Sequence, residues 1–499
     1  THDKPPAPTG VAGDFWNILI LLLLYTIQGI PIGLSGSVPV LMKERGASYS
    51  SLSLFSMVSI PFSIKLIWAP IIDSIYVKSI GRRKTWLIPI QLTCGCVMLM
   101  GGHFIDSWLG NNSDGSFSPP DATTLTAFFL VLYFLMATQD IVVDGWALTM
   151  LSRENVGYAS PCNNIGQIIG IFLANQGFIA LSDPIWCKKY LDIDTQNGLV
   201  TLAGFINFWG WFLIIVTLLL TVFKTEIPVD ATDEPDGVLA TYRQVWAIFK
   251  IRPVQLLCLV LFTCRAAFGP VDSATSFKLQ EYGMPKSDMA AIGPVLLIFS
   301  LLMPTFTGGA IANAPIDMFL IGTVLKICAS GLVWGIFQIS IRRYQLHENY
   351  PHFNILLIIV MGLHELSSNL MSGSLMAFFS KIADPSIGGT YMTLLNTISN
   401  LGSKWPSVLA LWALPQLTYS SCFDQHGDGG SVLFEDCRDH NEAMCTSRGG
   451  SCVTTLDGYS VQIFVGIVVG VAWLLFFGNI LHRLQHLQGT DWLTNPKEH

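Results

Sequence analysis

The chain has 499 residues, of which 51% are hydrophobic and only 12% are charged, and its formal net charge is −7. A composition this apolar and this poor in charge excludes an ordinary soluble protein. Crossing a bilayer takes a helix of about 20 apolar residues, and the chain supplies that length repeatedly. Because backbone groups in lipid must find their hydrogen-bond partners within the protein, these apolar stretches are predicted to be helices.

The sequence predicts twelve membrane-spanning segments, numbered here in chain order. They lie near 15–42, 52–72, 85–104, 125–149, 159–182, 199–223, 251–277, 288–311, 316–341, 352–380, 388–418 and 459–482. An acidic, proline-containing stretch at 224–250 separates six segments from six and is expected to be a solvated cytosolic linker. With cytosolic tails at 1–14 and 483–499, the pattern predicts an all-α integral membrane protein of two six-helix bundles, 15–223 and 251–482. The substrate site of such proteins lies between the bundles near mid-membrane.

The first segment is interrupted by glycine and proline at Gly29-Ile30-Pro31. Irregular backbone within a membrane is tolerated where it lines a cavity. Tyr25 and Gln28 stand just ahead of this interruption, so both are candidate substrate-binding residues.

Segments two and three are joined by a short charged turn. Asp73 lies at the end of segment two, and Gly81-Arg82-Arg83-Lys84 precedes segment three. A carboxylate at one helix end attracts the cations at the start of the next. These five residues are therefore predicted to hold a closed cytosolic turn and to act in gating.

Two loops indicate the opposite side of the membrane. Asn111-Asn112-Ser113 is a glycosylation sequon, which predicts that Asn111 carries a glycan. The polar loop 419–455 contains four cysteines, at Cys422, Cys437, Cys445 and Cys452. Four cysteines in one loop fit two disulfides in an oxidising compartment, and their spacing is not that of a zinc ribbon, so no metal is expected. A modest excess of Lys and Arg in the other loops agrees with two cytosolic termini.

Segment four carries two carboxylates, Asp140 and Asp144, one helical turn apart and so on the same face. Ionisable groups inside a membrane are costly and are functional candidates. The pair could bind a proton or a substrate amine. The alternative is an ion pair for helix packing or gating, which is favoured because the helix ends soon afterwards, at Leu151-Ser152-Arg153.

Cations lie within several other segments. Segments two, seven, nine, ten and eleven contribute Lys65, Arg265, Lys326, His364 with Glu365, and Lys404. A cavity that receives several cations would attract a polyanion such as a phosphate-bearing metabolite. Alternatively, each cation pairs with an internal carboxylate or extends to the interface, and this interpretation is favoured for Lys326.

For Arg265 the sequence favours substrate binding. It stands mid-segment beside Gly269-Pro270, a break that frees backbone groups to face a cavity. Asp272 and Lys278, further along the same segment, are its expected gate partners.

Neutral polar residues form a second layer of candidates in segments five, ten and eleven. They are Asn164, Gln167, Asn369, Asn396 and Asn400. Such residues either join helices or, converging on one cavity, recognise an adenine edge, a ribose or an amide. Both interpretations stay open.

The motifs of common enzymes are missing, and the chain is not expected to be an enzyme. His364-Glu365 begins like a zinc-protease HExxH motif, but its fifth position is Ser368, which is not a second histidine ligand. The sequence contains neither a GxSxG nucleophile elbow nor a Walker A loop. An intramembrane acetyltransferase that uses His364 is the remaining enzyme alternative.

Three stretches together resemble one family. They are 25–34 (YTIQGIPIGL), 65–73 (KLIWAPIID) with the GRRK turn at 81–84, and 137–144 (ATQDIVVD). In these stretches the chain resembles the branch of the major facilitator superfamily that contains acetyl-coenzyme A transporters and bacterial muropeptide permeases. The resemblance implies the major facilitator superfamily fold, with 12 transmembrane helices in two six-helix bundles.

The resemblance also implies a function. It implies alternating-access transport of acetyl-CoA from the cytosol into the endoplasmic-reticulum lumen, where acetyl groups are used, and it implies no cofactor. Exchange against CoA, uniport, and proton coupling through Asp140, Asp144, His364 or Glu365 stay open. The expected partners are acetyl-CoA, CoA and membrane lipid but no nucleic acid, and a homodimer is left open. The bacterial relatives suggest an alternative, a permease for another anionic or amino-sugar solute.

Overall fold

Helices account for most of the structure, a computed structural model that describes residues 13–111, 118–152, 155, 159–195, 198–226, 237–345, 350, 352–383, 388–424, 432–434, 437 and 440–493. In the first half they are α1 (Phe15–Glu44), α2 (Tyr49–Ser56), α3 (Ile60–Ile64), α4 (Ala69–Ser74), α5 (Lys84–Trp108), α6 (Ala122–Met150), α7 (Ala159–Phe172), α8 (Phe178–Ser182), α9 (Pro184–Trp186) and α10 (Leu202–Phe223). In the second half they are α11 (Val238–Phe249), α12 (Arg252–Thr263), α13 (Gly269–Glu281), α14 (Lys286–Asn313), α15 (Pro315–Tyr344), α16 (Phe353–Ile382), α17 (Gly388–Leu417), α18 (His440–Ser447) and α19 (Gly458–Gln485).

Each of the twelve predicted segments corresponds to a helical crossing, and three of these crossings are not continuous α-helices. Segment two consists of α2, α3 and the start of α4, with 3₁₀ turns at Met57–Ser59 and Lys65–Ile67. Segment five has a π-helical stretch, Leu173–Gly177, between α7 and α8, and segment seven has a 3₁₀ turn, Ala266–Phe268, between α12 and α13. Among the described residues, ten helices are long and apolar enough to cross a membrane. Segment eight supplies a shorter apolar stretch, Ala291–Met303, and α17 is not among the ten.

Side-chain caps fix where several helices begin. Asp121 precedes α6, and its Oδ1 accepts hydrogen bonds from the backbone N–H groups of Thr123 and Thr124, each at 3.1 Å. The Thr124 hydroxyl and these N–H groups hold the pKa of the Asp121 carboxyl below its usual value, although burial opposes them. Asp457 caps α19 in the same way, accepting from Tyr459 N at 3.3 Å. These bonds satisfy donors that a helix start leaves without a partner.

Glycines bring α1 and α7 into direct backbone contact. A Cβ atom on Gly170 would lie 2.1 Å from the backbone oxygen of Thr26, and one on Gly29 would lie 2.6 Å from the backbone oxygen of Gln167. Small residues at such crossings let helices pack by van der Waals contact where lipid supplies no hydrophobic driving force. In the same half α5 packs on α10, and in the second half α15 packs on α16.

The two six-helix bundles meet along two sets of helices. In one, α2 and α3 contact α17, and in the other, α7, α8 and the π-helical stretch between them contact α14. At the first, Ser53 Oγ donates to the backbone oxygen of Val408 at 2.9 Å. At the second, a Cβ on Gly293 would lie 2.7 Å from the side chain of Gln176. The substrate site is expected in the space between these two contacts.

A small antiparallel sheet stands between α17 and α19. Its strands are β1 (Tyr419–Asp424), β2 (Val432–Phe434) and β3 (Gly450–Leu456), in the order β2-β1-β3, with Cys422 opposite Cys452. Disulfides join Cys422 to Cys445 and Cys437 to Cys452. The sheet with its two disulfides is called the cystine sheet below. Its end of the molecule is called the sheet end, and the opposite end, where α1 begins and α19 ends, the tail end.

Two stretches expected to be solvated are in part packed against the protein. Within the predicted linker, residues 227–236 lie outside the described part of the chain, but α11 follows them and contacts α4 and α17. In the predicted tail, Trp492 is 2% exposed and packs on Phe378, with ring centroids 5.9 Å apart. Apolar side chains on otherwise polar stretches explain both differences.

Candidate functional site

The first-half cluster is a buried group of polar residues centred on Asp140. Asp140 Oδ2 pairs with Lys65 Nζ, while Oδ1 accepts from Gln28 Nε2 at 2.6 Å and from Gln167 Nε2 at 3.2 Å. The aspartate is 4% exposed. Segments one, two, four and five thus meet at one carboxylate, which leaves its two oxygens little capacity for a further ligand. Four of the predicted site residues are thereby brought together.

Asp144 forms the second part of the first-half cluster. Its Oδ1 accepts from the Tyr25 hydroxyl at 2.8 Å and from Asn163 Nδ2 at 2.9 Å. Within the part of the chain that the structure describes, no cation lies within ion-pair distance of Asp144. The first-half cluster therefore holds two carboxylates and one lysine.

The second-half cluster joins α13, α15 and α16. Asp272 Oδ1 lies 2.8 Å from Lys326 Nζ and 3.0 Å from His364 Nε2, and the two nitrogens are themselves 2.8 Å apart. Lys326 also donates to Ser368 Oγ at 2.6 Å and is 2% exposed. Lys326 thus has the carboxylate partner that the sequence favours. Asp272, which was expected to pair with Arg265, lies with Lys326 and His364 instead, because it is two helical turns along from Arg265.

Arg265 and Lys404 differ from the other cations inside the bundles. Arg265 Nη2 donates to Ser372 Oγ at 2.7 Å, and its side chain is partly accessible. Lys404 is exposed and lies within electrostatic reach of Arg265 and Asp272. Over the described residues, neither cation has a carboxylate within ion-pair distance. Both stand near the middle of their crossings, where a lipid-facing charge would be costly, so we expect the accessible surface of both to face the space between the bundles.

The remaining candidates lie on α7, α16 and α17. Glu365 accepts from Asn369 Nδ2 at 3.2 Å, so the two form one unit on α16. Asn396 Oδ1 is buried and without a hydrogen-bond partner among the described residues. Asn164 is exposed and Asn400 partly exposed. Asn164 and Asn400 are thus accessible for recognition, while Asn369 is engaged with a neighbour.

Glu226 fastens the turn that the sequence assigns to gating. Its carboxylate accepts from the backbone N–H of Arg83 at 2.8 Å and of Lys84 at 2.9 Å, at the start of α5. Lys84 Nζ donates to the backbone oxygen of Thr221 at 3.0 Å. An anion at a helix N-terminus is favourable. The sequence placed Glu226 in the solvated linker, so its capping role was missed.

Other contacts of the turn are also made within the first half. Gly81 has a φ of +109°, a conformation that favours glycine, and a Cβ there would clash with the Glu226 carboxylate. The Arg83 guanidinium lies against Gly145 of α6. Arg82 is partly exposed. The side chain of Asp73 lies outside the described part of the structure, so the predicted attraction between Asp73 and the turn stays a prediction.

A network of charges, called the sheet-end lock, connects the two bundles at the sheet end. Glu281 lies 3.4 Å from both Lys43 Nζ and Lys278 Nζ and accepts from the Tyr49 hydroxyl. Lys278 Nζ also lies 2.9 Å from Asp457 Oδ1, and Lys43 stands over the Tyr49 ring at 4.1 Å. Lys43 and Tyr49 belong to the first half and the other three residues to the second. The sheet end is therefore held closed across the bundle interface.

Sequence reasoning missed this lock, and it placed Lys278 with Arg265. Charges at helix ends are normally solvated, so nothing in the sequence separates Lys43 and Glu281 from surface residues. The one available signal is the spacing of Lys278 and Glu281, which puts opposite charges three apart on one helix. The burial of Lys278, at 1% exposure, is a tertiary effect.

The sequon also lies at the sheet end. Arg45 Nη1 donates to Asn111 Oδ1 and, at 3.2 Å, to the backbone oxygen of Leu109. The other two sequon residues, 112 and 113, lie outside the described part. Glycosylation of Asn111 stays a prediction. The cystine sheet, with the four predicted cysteines in its two disulfides, lies at the same end.

Comparison with known proteins gives a consistent result over nearly the whole chain. A family model described as acetyl-coenzyme A transporter 1 matches residues 17–238, 229–312 and 319–494. An uncharacterized protein of Schizosaccharomyces pombe is 31% identical over 488 residues, covering 96% of this chain and 89% of that protein. The anhydromuropeptide permease of Escherichia coli is 24% identical, covering 79% of this chain and 73% of the permease.

Solved structures extend the comparison to the fold. The nucleoside transporter NupG matches with a TM-score of 0.55, covering 92% of this chain and 98% of NupG, at 13% sequence identity. At that identity the match concerns the arrangement of helices alone. The two-bundle arrangement predicted from the sequence is confirmed.

Proposed function

The chain belongs to the acetyl-coenzyme A transporter family, and on this premise we propose that it carries acetyl-CoA across a membrane by alternating access. It is a multi-pass membrane transporter with the fold of the major facilitator superfamily. The family description supports acetyl-CoA as the cargo. In this fold the two bundles rock about a central site near the membrane midplane.

One observation carries the choice of cargo. Arg265 and Lys404 are accessible cations near mid-membrane, and within the described residues no carboxylate neutralises either one. A polyphosphate cargo supplies the missing charge. The arginine fork matches two phosphate oxygens at once, and the lysine acts as a point charge beside it. We assign these two residues to the phosphates of acetyl-CoA.

The charge difference between the bundles supports one orientation of the cargo. The first-half cluster has two carboxylates for its one lysine, so it repels phosphates. The nucleotide end is therefore assigned to the second half, near Arg265 and Lys404. The neutral acetyl thioester is assigned to the side of Tyr25, whose ring is fully buried and whose hydroxyl is held by Asp144.

The direction of transport is also part of the proposal. We assign the tail end to the cytosol and the sheet end to the lumen of the endoplasmic reticulum. Two disulfides at the sheet end suit an oxidising compartment, and the Asn111 sequon lies at the same end. Acetyl-CoA enters the lumen to supply acetylation there, and CoA returns in exchange, which balances most of the charge moved.

The test is uptake into proteoliposomes of the purified protein. Acetyl-CoA is labelled separately on its acetyl and adenine parts and supplied outside, with and without CoA trapped inside. Entry of both labels together, faster with trapped CoA, is the expected result. Entry of the acetyl label alone would show transacetylation rather than transport, and entry of neither would exclude acetyl-CoA as the cargo.

Neutralising the two cations tests the site itself. Because a charge-assisted hydrogen bond contributes about 1.5–3 kcal/mol, Arg265→Gln and Lys404→Gln are each expected to weaken the apparent affinity for acetyl-CoA about tenfold or more. Lys188→Gln is the matched control, because Lys188 is 65% exposed and pairs with Asp194 outside the membrane-crossing helices. Unchanged affinity in both cavity variants, with folding intact, would refute the phosphate assignment.

A second candidate follows from the bacterial match. The Escherichia coli relative is named an anhydromuropeptide permease, so a permease for another anionic or amino-sugar solute is the alternative. Competition separates the two candidates. Acetyl-CoA uptake that free CoA inhibits and that anhydromuropeptides leave unchanged supports the first, and the reverse pattern supports the second.

A further inference from the structure

The second-half cluster contains a contact that the phosphate assignment does not use. His364 Nε2 lies between two groups of opposite chemistry, 2.8 Å from Lys326 Nζ and 3.0 Å from Asp272 Oδ1. Lys326, on α15, is buried, while His364 on α16 and Asp272 on α13 are partly accessible. The question for this imidazole is which of its two ring nitrogens carries a hydrogen.

The donors and acceptors of the cluster allow two proton positions. In one, the Lys326 ammonium donates to Nε2 at 2.8 Å, so the ring is neutral and carries its hydrogen on Nδ1. In this form Nε2 cannot also donate to Asp272. The 3.0 Å contact between His364 and Asp272 is then one acceptor facing another.

Adding one proton to Nε2 reverses both contacts. The imidazolium donates to Asp272 and forms an ion pair with it, while its contact with Lys326 becomes a repulsion between two cations. Lys326 must then move away from the ring, with Ser368 Oγ, at 2.6 Å, as its remaining partner. The cluster therefore has two arrangements that differ by one proton.

We propose that His364 is a proton-binding site coupled to the cargo site, so that binding of a phosphate-bearing cargo takes up one proton on Nε2. The proposal rests on the proposed function for the identity of the cargo. In the empty cavity the positive field of the nearby cations disfavours a further positive charge on His364. Bound phosphates cancel that field and favour the proton. By thermodynamic reciprocity the proton then strengthens cargo binding to the same extent.

The charged and polar groups around His364 agree with this coupling. From the elements packed on α16 and from α16 itself, they are Arg265, Asp272, Ser300, Lys326, Glu365 and Lys404. Three are basic side chains and two are carboxylates. Glu365 accepts a hydrogen bond from Ser300 Oγ of α14 at 2.9 Å. The surroundings thus carry an excess positive charge until an anion enters.

The experiment measures protons directly. Acetyl-CoA is titrated calorimetrically into the purified full chain in two buffers of different ionisation enthalpy, between pH 6 and pH 8. The wild-type protein is expected to take up as much as one proton per bound ligand, and its affinity is expected to fall severalfold as the pH rises. His364→Gln is expected to remove both effects. Protons bound by the ligand's own phosphates are common to both proteins and cancel in the comparison.

Controls separate this proposal from the proposed function. His352→Gln changes an exposed histidine at the start of α16 and is expected to behave as the wild type. Equal proton uptake in the wild type and in His364→Gln overturns the proposal. If the variant fails to fold, pH-independent binding by the wild type alone overturns it as well.

Pyrophosphate is the second probe. If acetyl-CoA does not bind but pyrophosphate does, the cargo assignment fails while the proton coupling is still tested on pyrophosphate by the same comparison. If neither ligand binds, both proposals fall.

Discussion

Asp14 fastens the start of α1 to the end of α6. Its carboxylate accepts from the backbone N–H of Ser152 at 2.9 Å, from Asn155 Nδ2 at 2.8 Å and from Asn17 Nδ2 at 3.0 Å. Bonds from Ser152, Asn155 and Asn17 hold the pKa of the Asp14 carboxyl well below its usual value of 3.8, although burial opposes them. This single residue therefore closes the tail end of the first bundle.

The lowered pKa gives a prediction with a definite sign. A carboxyl whose pKa is lower in the folded state stabilises the protein above its unfolded pKa, and the contribution is lost as the pH falls. Asp14→Asn is therefore expected to lower the melting temperature at pH 7, and the difference from wild type is expected to shrink below about pH 4. Thermal unfolding of the purified protein at pH 7 and at about pH 2.5, well below the usual pKa of 3.8, measures this. A gap that stays constant between the two pH values would contradict the assignment.

For single residues, the sequence identifies candidate site residues better than it identifies the residues they contact. The spacing of Asp140 and Asp144 was enough to place them on the same face of a helix, because residues four apart in a helix lie one above the other. The partner of Asp140, Lys65, lies 75 positions earlier, and helix packing alone decides that contact. The same limit explains Asp272, which was assigned to Arg265 on its own segment but contacts α15 and α16. Residue types predict the chemistry of a membrane interior, whereas tertiary contacts decide which groups remain free.

The crossing of α1 and α7 is the clearest case of one element requiring another. Both helices present glycine where they meet, and the backbones approach more closely than any side chain allows. Since a Cβ on Gly170 would lie 2.1 Å from the Thr26 oxygen, the helices would have to separate to admit it. Tight packing of this kind keeps the first bundle together as a unit.

Gly170→Ala is therefore expected to destabilise the protein. Overpacking of a close contact costs about 1–3 kcal/mol, so the melting temperature should fall. Gly478→Ala is the matched control, because a Cβ at Gly478 has no other atom within 4 Å. It lies within α19, where alanine has the better helix propensity, and it should leave stability unchanged or raised. Equal effects of the two changes would show that the close approach is not limiting.

The positions of the elements could be predicted from the sequence, because length and apolarity largely determine what crosses a bilayer. The interruptions within the membrane-crossing helices were harder to predict. Gly269-Pro270 marked one of them, but the interruption expected at Gly29-Ile30-Pro31 was wrong, because α1 continues through it from Phe15 to Glu44. The π-helical stretch Leu173–Gly177 has no comparable residue signal. α11 was missed because its acidic flank suggested a solvated linker. In such stretches the polar flanks favour solvent exposure and the apolar face favours packing. For α11, the contacts with α4 and α17 show that packing prevails.

At the scale of the whole molecule, the sheet-end lock sets which side of the protein is closed. It joins Lys43 and Tyr49 of the first bundle to Glu281, Lys278 and Asp457 of the second. Asp457 also caps α19 directly after β3. Opening the sheet end therefore requires the Lys43–Glu281 ion pair and the Tyr49–Glu281 hydrogen bond to break, while the pairs of Lys278 within the second bundle persist.

Reversing one charge of the lock tests this. Lys43→Glu places a carboxylate beside Glu281 and is expected to favour the state that is open at the sheet end. The double change Lys43→Glu with Glu281→Gln removes the repulsion between the two carboxylates without placing a cation beside Lys278, and it is expected to open less than the single change. Labelling of Ser53→Cys by a membrane-impermeant maleimide from the sheet side, corrected for the protein without this cysteine, reports the opening. Identical labelling in the single and double variants would rule out a lock between these residues.

The polarity of α17 has a consequence for how the protein is made. This helix carries Lys404 at its centre and is not among the ten helices apolar enough to cross a membrane on their own. A lysine at that depth costs about 2.5–3.5 kcal/mol on insertion. Integration of α17 therefore depends on helices synthesised earlier, above all α13, whose Gly269 would place a Cβ 2.5 Å from the Pro406 oxygen. The same polarity that equips α17 for an ionic cargo makes its entry into the bilayer a cooperative step of biogenesis.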